Sequence, residues 1–231
     1  DGRGGGVTNG VGYLAAVLQQ KGHTVTIYNQ DIHHYPDSHL TSYLENNDFD
    51  AVGVGIISGY YQYRKLLLIA DAINNSKKRP VFILGGHGPS PEPEFFLKKS
   101  NADIACIGEA EDTITELLQA LQSRTPLDAI DGIAYRDGTK IIINKRRMPV
   151  QDIDTIPFPA YELFPIDHYR LMRFVHASDT DFVFPVLSGR GCKFRCNFCY
   201  RLEEGFRARR AESIIEEVSL LKTNYRISYI Y

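Results

Sequence analysis

The stretch Asp50-Ala-Val-Gly-Val-Gly-Ile-Ile57 is the clearest strand signal in this chain of 231 residues. It carries no charge after Asp50, as in a strand that is buried on both faces, and Ser58-Gly59-Tyr60 then supplies the residues of a turn. Similar apolar runs occupy Pro80–Leu84 and Asp103–Ile107, and a helical pattern follows each run. Strands that alternate with helices at this spacing predict an α/β fold with a doubly wound parallel sheet.

Upstream of that stretch the pattern lacks one strand. Apolar residues recur at helical spacing over residues 11–18, so a helix comes first, and Thr24–Tyr28 then alternates as a strand. A flavodoxin-like or Rossmann-like sheet with strand order 2-1-3-4-5 places its first strand in the interior. We therefore expect a further strand before Asp1 and interpret the chain as a fragment.

The composition is that of a globular protein, since 43% of the residues are hydrophobic. The formal net charge of −2 gives no general attraction for nucleic acid or for a membrane surface, so we expect neither as a partner. No apolar run approaches the ~20 residues that span a bilayer. Three clustered cysteines near the end of the chain suit an air-sensitive iron–sulfur cluster, so we expect a cytoplasmic location.

After residue 125 the sequence changes character. Gly132–Tyr135 and Lys140–Ile143 flank Arg136-Asp137-Gly138-Thr139, which predicts a two-stranded hairpin. Ile156-Pro-Phe-Pro159 then indicates an extended linker with aromatic anchors. We therefore predict a sheet domain over residues 1–125, a hairpin and proline-rich linker over 126–178, and a second domain over 179–231.

Three of the four cysteines lie within eight positions of one another, at Cys192, Cys196 and Cys199. Thiolates at this C-x3-C-x2-C spacing can each hold one iron of a [4Fe–4S] cluster. The absence of a fourth thiolate leaves one iron open to a small molecule. These three cysteines are therefore the candidate metal ligands.

A zinc site and a disulfide suit the same cysteines less well. A zinc site needs a fourth Cys or His at ligand spacing, and residues 201–231 offer neither. A disulfide needs an oxidising compartment and leaves one of the three cysteines unpaired. Cys106, within an apolar run, is interpreted as a small buried hydrophobe.

The flanks of the cysteines support a reactive loop. Phe182–Leu187 predicts a buried strand that leads into the loop, and barrel enzymes place reactive groups at such strand ends. Over residues 188–210 seven Lys or Arg stand against two Glu, a net charge of +5 that can attract an anion. Downstream, Ser213 and Glu216 have the spacing of a capping box at a helix start, and Ile227 begins the next strand.

The cysteine segment resembles the signature of the radical S-adenosylmethionine (SAM) enzymes, C-x3-C-x-aromatic-C, in which Phe198 is the aromatic residue. The resemblance implies that the three cysteines bind a [4Fe–4S] cluster whose open iron takes SAM, with Phe198 in the loop that holds SAM and the cluster. It implies that one electron cleaves SAM to a 5′-deoxyadenosyl radical, and that a reductant such as flavodoxin or ferredoxin supplies that electron. It also implies that residues 179–231 begin a partial TIM barrel of (β/α) units.

The first part of the chain resembles the cobalamin (B12)-binding domain that precedes the catalytic domain in one subfamily of these enzymes. The matching residues are Gly12-Tyr13-Leu14-Ala15, Gly85-Gly86-His87 and Gly108-Glu109-Ala110-Glu111. The resemblance implies that cobalamin is bound by the loops at the carboxyl ends of the strands. The candidate contacts are Ser58, Gly85, Gly86, Gly108 and Glu109.

One histidine motif departs from that domain family. Many of its members use D-x-H-x-x-G in the first strand-to-helix loop, with the histidine bound to cobalt. Asp31-Ile-His33-His34-Tyr35-Pro36 follows the second strand and has proline in place of the glycine. Gly2–Asn9 contains no histidine, so we expect a corrinoid without a protein imidazole ligand, with His87 as the remaining candidate.

The two resemblances imply a cobalamin-dependent radical SAM methyltransferase that methylates an unactivated carbon of a small-molecule substrate through methylcobalamin. One alternative is a radical SAM cyclase or rearrangement enzyme of the anaerobic porphyrin-monoester cyclase type. Another is a cobalamin-binding or electron-transfer module that does not cleave SAM. A methylthio-transferring RNA enzyme is a third, although packing accounts as readily for the aromatic residues near the cysteines.

Overall fold

The computed structural model of the chain describes residues 8–57, 59–174, 177–178, 180–199 and 201–231. The chain divides into two compact units, one of residues 35–150 and the other of residues 1–34 together with 151–231. The helices are α1 (Asn9–Gln20), α2 (Gln30–His33), α3 (Asp37–Asn46), α4 (Tyr60–Asn74), α5 (Pro93–Ser100), α6 (Glu111–Ser123), α7 (Ile166–Arg170) and α8 (Ala211–Tyr225). None of these helices is long and apolar enough to cross a membrane.

Within the part of the chain that the structure describes, the strands form three separate sheets. They are β1 (Ala51–Gly55), β2 (Val81–Gly85), β3 (Ile104–Cys106), β4 (Ile133–Asp137), β5 (Lys140–Ile143), β6 (Val183–Phe184), β7 (Gly189–Cys192), β8 (Gly205–Ala208) and β9 (Tyr229–Ile230). Two short 3₁₀ turns cover Ile153–Thr155 and Tyr161–Leu163.

Three parallel strands form the centre of the unit built from residues 35–150. β1 pairs with β2 in parallel, with Val52 opposite Phe82, and β2 pairs with β3 in parallel, with Leu84 opposite Ala105. Phe82 and Leu84 are fully buried, as expected for the middle strand of a parallel sheet. The predicted α/β fold with a parallel sheet is confirmed.

The hairpin of β4 and β5 lengthens this sheet. β4 runs antiparallel to β3, with Ala134 opposite Ala105, and β5 runs antiparallel to β4. Gly138 has a φ of +57° in the turn, a conformation that glycine adopts without steric penalty. The predicted hairpin is confirmed, and it is hydrogen-bonded into the sheet in the order β1-β2-β3-β4-β5.

The predicted strand over residues 24–28 does not form. Val25 and Ile27 instead pack against Ala15 and Ala16 of α1 and against Ala160. This prediction is wrong because alternating apolar residues indicate that one face is covered, but not which element covers it.

Helix α1 packs closely on the proline-rich linker within its own unit. The Ala160 N–H donates to the Gly12 carbonyl oxygen at 3.0 Å. A Cβ on Gly12 would lie only 2.7 Å from the Cβ of Pro159. Glycine at this position therefore allows the helix and the linker to touch.

A β-α-β element organises the rest of that unit. Val183 of β6 pairs in parallel with Tyr229 of β9, and α8 lies between these strands in the sequence. This connection is the repeating unit of a (β/α) barrel, so it agrees with the predicted opening of a barrel. The core beside it combines residues of the linker, β6 and α8. These residues are Tyr161, Phe164, Ile166, Tyr169, Phe182, Phe184, Leu221 and Ile227.

The segment after β6 differs from the predicted plain loop. Gly189 of β7 lies opposite Ala208 of β8, and Cys192 lies opposite Gly205, in an antiparallel pair. The described residues between these strands, 193–199 and 201–204, therefore belong to the loop of a hairpin. We call residues 187–209 the cysteine hairpin.

Helix α8 begins at Ala211, with Arg210 as its N-cap residue. Ser213 therefore lies inside the first turn, and the predicted capping box of Ser213 and Glu216 is wrong. The Arg210 N–H donates to Oδ2 of Asp154 at 2.9 Å instead. A carboxylate from a distant part of the chain thus takes the place of a local cap.

Candidate functional site

The loops that follow β1 and β2 are hydrogen-bonded to one another. The Ile56 N–H donates to the Gly85 carbonyl oxygen at 2.9 Å, and the Gly88 N–H donates to the Ile56 carbonyl oxygen at 3.1 Å. These bonds continue the pairing of β1 and β2 beyond the strand ends. The structure therefore brings Gly85 and Gly86, two of the predicted cobalamin contacts, against the loop that follows β1.

Gly86 is required by this close approach. Its φ is +93°, and a Cβ at this position would lie 2.4 Å from the Ile56 carbonyl oxygen. Gly85 differs, because no protein atom lies within 4 Å of the position that its Cβ would take. The main chain at Gly85 is therefore open to a ligand.

Ser90 joins the loop after β2 to the loop after β3. Its hydroxyl donates to the Gly86 carbonyl oxygen at 2.8 Å and accepts from the Gly108 N–H at 3.1 Å. Ser90 is buried, so water competes little for these bonds. No sequence pattern predicts this role, because the bonds depend on how two loops meet.

The remaining predicted contacts lie beside these bonds in the chain. Gly108 has a φ of +86°, and Glu109 next to it is partly buried. Ser58 lies outside the described residues. Ile57 and Tyr61 border the loop after β1 and are 59% and 88% exposed. Open main chain next to large apolar side chains suits a ligand that has both polar groups and a broad apolar face.

The histidines of the motif over residues 31–36 do not lie on these loops. His33 is the last residue of the four-residue helix α2, and His34 follows it with a φ of 51°. His87 is exposed in the loop after β2. His87 is therefore the histidine that the described loops of the sheet could offer to a ligand.

The three clustered cysteines lie on the cysteine hairpin. Cys192 is the last residue of β7, and Cys196 and Cys199 lie in the loop that leads to β8. All three are exposed and free of disulfide bonds. Among the described residues, no three His, Cys, Asp or Glu side chains are gathered closely enough to hold a metal ion.

The type and placement of these donors nevertheless fit an iron–sulfur cluster. Thiolate is the ligand that iron takes in such clusters, and exposed thiols are accessible to it. Free thiols do not attract one another, and a metal site often forms only as the metal binds. The three cysteines are thus candidate ligands on one hairpin, and a bound cluster would bring their thiols together.

Two glycines allow the strands of the cysteine hairpin to approach. A Cβ on Gly191 would lie 2.3 Å from the Gly205 carbonyl oxygen, and the φ of Gly191 is +84°. A Cβ on Gly189 would lie 2.7 Å from Cζ of Phe206. The hairpin therefore requires the two glycines of the Gly-Arg-Gly sequence before the first cysteine. From the sequence alone, these glycines indicate only that a strand ends there.

Cationic and aromatic side chains surround the cysteine loop. Cζ of Arg190 lies 5.0 Å from the centre of the Tyr13 ring, and Nζ of Lys193 lies 5.5 Å from the centre of the Phe194 ring. Phe198, the predicted aromatic residue of the signature, is 89% exposed. The loop can therefore attract an anionic group and offer a ring face to a flat one.

A buried ionic cluster follows β8, and no sequence pattern predicts it. Arg209 is hydrogen-bonded to Glu217 of α8 and lies 3.7 Å from a carboxylate oxygen of Asp154. The Tyr161 hydroxyl donates to the other carboxylate oxygen of Glu217. We call Asp154, Tyr161, Arg209 and Glu217 the Arg209 cluster.

The pKa values of Asp154 and Tyr161 are shifted by their surroundings. The pKa of Asp154 is lowered, chiefly because the Arg210 N–H donates to this carboxylate. The pKa of the Tyr161 hydroxyl is raised, chiefly by burial and further by the negative charge of Glu217. Asp154 is therefore held as a carboxylate, and Tyr161 as a neutral hydrogen-bond donor.

Cys106 has different surroundings from the other cysteines. It is buried in β3, and burial raises the pKa of its thiol to about 12. The interpretation of Cys106 as a small buried hydrophobe is confirmed.

Comparisons with known proteins match both parts of the chain. The family model for the B12 binding domain matches residues 3–118. The uncharacterized methyltransferase PH0819 of Pyrococcus horikoshii is 30% identical over 227 residues, which are 96% of this chain and 47% of that protein. The chain thus spans about half the length of this relative. The anaerobic magnesium-protoporphyrin IX monomethyl ester cyclase of a Synechocystis species is 29% identical over 130 residues, which are 56% of this chain and 24% of the cyclase.

One solved structure with the same fold is TsrM from Kitasatospora setae, a radical SAM methyltransferase with cobalamin and a [4Fe-4S] cluster bound. The TM-score is 0.71 at 15% sequence identity, and the likeness covers 94% of this chain and 43% of TsrM. At this identity the likeness establishes the fold.

Proposed function

We propose that this chain, which belongs to the B12-binding domain family, works as a cobalamin-dependent radical SAM methyltransferase. In this proposal the cofactors are cobalamin, SAM and a [4Fe–4S] cluster, and the substrate is a small molecule that is methylated at an unactivated carbon. Along the sequence, residues 1–125 are the cobalamin-binding domain, residues 126–178 the hairpin and linker, and residues 179–231 open the radical SAM domain, with the hairpin joined to the sheet of the first domain. A reductant such as flavodoxin or ferredoxin supplies electrons in the cytoplasm.

The cysteine hairpin is the proposed cluster site. Cys192, Cys196 and Cys199 would each bind one iron and leave the fourth iron to SAM. When bound, the cluster supplies the electron that cleaves SAM, and cobalamin carries the methyl group to be transferred. Lys193 would attract the carboxylate of SAM, and the exposed ring of Phe198 would offer its face to the adenine base.

The loops at the carboxyl ends of β1, β2 and β3 are the proposed cobalamin site. The open main chain at Gly85 lets a large ligand approach, and Gly86 keeps the loop against Ile56. Ser90 holds Gly86 and Gly108 in a fixed relation through its two hydrogen bonds. Ser58 and Glu109 complete the proposed set of contacts.

The observation that carries this proposal is the set of three exposed free thiols on one hairpin, in a chain that matches the B12 binding domain. Pure electron carriers usually bind every iron of a cluster through protein thiolate. Three ligands at this spacing therefore favour an enzyme over an electron-transfer module. The methyltransferase relative supports methyl transfer as the outcome.

A cyclase or rearrangement enzyme is the second candidate. It would use the same cluster and the same cleavage of SAM, so the cysteine hairpin suits it equally. The similarity to a magnesium-protoporphyrin IX monomethyl ester cyclase supports this candidate.

The deciding experiment is anaerobic incubation of the intact protein with SAM, cobalamin and a strong reductant, followed by mass spectrometry. We expect both 5′-deoxyadenosine and S-adenosylhomocysteine, because radical formation and methyl transfer each consume one SAM. The matched control is Cys196→Ser, which removes one proposed ligand and should form neither product. 5′-Deoxyadenosine alone would favour the cyclase, and neither product from a cobalamin-loaded wild-type protein would favour a binding module.

A further inference from the structure

The two ends of the cysteine hairpin meet at one residue. The Arg209 N–H donates to the Ser188 carbonyl oxygen at 3.0 Å, directly before β7. Nη1 of the same residue donates to the Leu187 carbonyl oxygen at 2.8 Å. Arg209 directly follows β8, the second strand of the hairpin. It therefore links the end of the second strand to residues 187 and 188, which lead into the first strand.

The rest of the guanidinium group is anchored in buried protein. Nη1 also donates to Glu217, and Nη2 donates to the Ser213 carbonyl oxygen at 3.2 Å and to its Oγ at 2.9 Å. The centre of the Phe158 ring lies 5.4 Å from Cζ of Arg209. The planar fork of arginine makes these contacts at the same time, which a lysine ammonium group cannot do. The stem of the hairpin is thereby tied to α8 and to the linker.

Burial strengthens this anchor. The side chain of Arg209 is 4% exposed, and those of Glu217 and Asp154 are 1% and 3% exposed. Opposite charges attract more strongly away from water, and a buried carboxylate that loses its partner is strongly destabilising. Arg210 also pairs with Asp154, but its side chain is 72% exposed, so its attraction is screened.

We propose that Arg209 is a positioning residue that closes the stem of the cysteine hairpin and keeps its three thiols within reach of one cluster. This role rests on the proposed function, which assigns the cluster to that loop. Bringing the ends of a flexible loop together costs chain entropy. Because Arg209 closes the stem before the cluster binds, the free energy of cluster binding does not include this entropy cost.

The central test is Arg209→Lys, which keeps the positive charge but replaces the planar guanidinium group with an ammonium group. In the iron-free intact protein, hydrogen–deuterium exchange is measured on the amides of residues 189–192 and 205–208. In the reconstituted protein, the rate of iron release to a chelator is measured. We expect both rates to rise about tenfold, the effect of losing one to two net hydrogen bonds.

Arg210→Lys is the matched control. It makes the same chemical change at the neighbouring residue, whose N–H and guanidinium group are hydrogen-bonded to Asp154 rather than to the entry of the hairpin. We expect less than about twofold change in either rate, as for other exposed ion pairs. Amides of β2 should exchange at the wild-type rate in both variants.

A second variant separates stem closure from general stability. Arg209→Met combined with Glu217→Gln removes the buried cation together with one buried carboxylate, and such paired neutralisation is often tolerated. The amide oxygen at position 217 still accepts the Tyr161 hydroxyl, and Asp154 keeps Arg210. We expect a melting temperature within a few degrees of wild type, together with fast exchange in the stem.

Each outcome decides the role of Arg209. Wild-type exchange and wild-type iron release in both Arg209 variants would overturn it. Unfolding of the whole unit in both variants would also overturn it, since Arg209 would then stabilise the core rather than the stem. A wild-type protein that takes up no iron would refute the proposed function, while stem exchange in the iron-free protein would still report whether Arg209 closes the hairpin.

Discussion

Cys106 is enclosed in β3 of the sheet, whereas Cys192, Cys196 and Cys199 are exposed on the cysteine hairpin. Burial raises the pKa of the Cys106 thiol to about 12, because a thiolate in an apolar strand would lose its hydration. Metal ions bind the thiolate, so burial makes Cys106 unsuited to be a ligand, whereas the other three cysteines are accessible from solvent. The surroundings, not the residue type, separate the two roles.

The two regions also differ in what completes their geometry. In the sheet, protein atoms fix each loop, as Ser90 does for Gly86 and Gly108. In the cysteine hairpin, protein atoms fix the stem, but the described residues gather no three metal donors. The contacts that hold the sheet loops thus reach across neighbouring loops, whereas the contacts that hold the cysteine hairpin lie at its stem.

Removing a cysteine should give the largest difference between the two regions. We expect Cys192→Ser, Cys196→Ser and Cys199→Ser each to abolish the binding of about four irons per chain under anaerobic reconstitution. Cys106→Ala should retain the full iron content, as measured by iron and sulfide analysis and by the visible spectrum. Loss of iron in the Cys106 variant would remove the contrast.

Within the cysteine hairpin, Gly191 and Gly205 offer a matched pair of substitutions. Their φ values are similar, +84° and +81°. A Cβ added at Gly191 would lie 2.3 Å from the Gly205 carbonyl oxygen, whereas a Cβ added at Gly205 would have no atom within 4 Å. Gly205→Ala should cost about 1 kcal/mol of conformational strain. Gly191→Ala should cost about 1–3 kcal/mol more, because the facing backbone must move.

The measurement is thermal unfolding together with iron retention in the two variants. Gly191→Ala should also open the stem to hydrogen exchange. Equal losses in the two variants would mean that the strands do not approach as closely as the structure shows.

In the sheet, Gly86 and Gly138 test the same contrast between clash and strain. A Cβ on Gly86 would lie 2.4 Å from the Ile56 carbonyl oxygen, whereas the Cβ position of Gly138 is open, and both have positive φ. Gly86→Ala should weaken corrinoid binding at least about tenfold, because the loop after β2 must move away from Ile56. Gly138→Ala should leave binding unchanged.

Corrinoid binding is measured by titration with aquocobalamin, followed by visible absorbance. Melting temperatures show whether each variant is folded. A Gly86→Ala variant that binds like wild type would place the corrinoid away from these loops.

The smallest expected effect concerns alkaline pH and Cys106. The pKa of its thiol is about 12 when folded and about 8.5 when unfolded, so the unfolded state alone loses the proton between these values. Since the folded pKa is the higher one, stability is fully present below about pH 8.5 and falls as pH rises toward 12. From pH 8.5 to 10 this group should lower the free energy of unfolding by about 1–2 kcal/mol.

The check compares urea unfolding of wild type and Cys106→Ala at the two pH values. The variant should lose less stability than wild type over that interval. Identical pH profiles would show that the Cys106 thiol is not shielded from water.

Much of the fold was predictable because its signals are local. A few consecutive residues are enough to predict each of the strands β1, β2 and β3 and the turn at Gly138. The prediction for residues 24–28 is wrong because a strand needs a partner, and the sequence pattern does not identify one. The capping box at Ser213 is wrong because Asp154, far away in the chain, binds the Arg210 N–H.

Some features of the candidate site are also visible in the sequence, and others are not. The C-x3-C-x2-C spacing and the glycines at strand ends are visible in the sequence, and their roles as cluster and cobalamin contacts stay predictions. Ser90 and the Arg209 cluster could not be predicted, since their partners lie on other loops or helices. Spacing along the chain indicates which residues can act, but contacts between distant segments determine what holds them.

The packing of α1 on the linker bears on how the protein folds during synthesis. Residues 35–150 are continuous in the chain, whereas Gly12 must wait for Pro159 and Ala160 before α1 can dock. At a translation rate of about 5–20 residues per second, that delay of roughly 150 residues lasts about 8–30 s. Residues 35–150 are therefore synthesised completely before Pro159 and Ala160, and α1 stays without these two contacts throughout that interval.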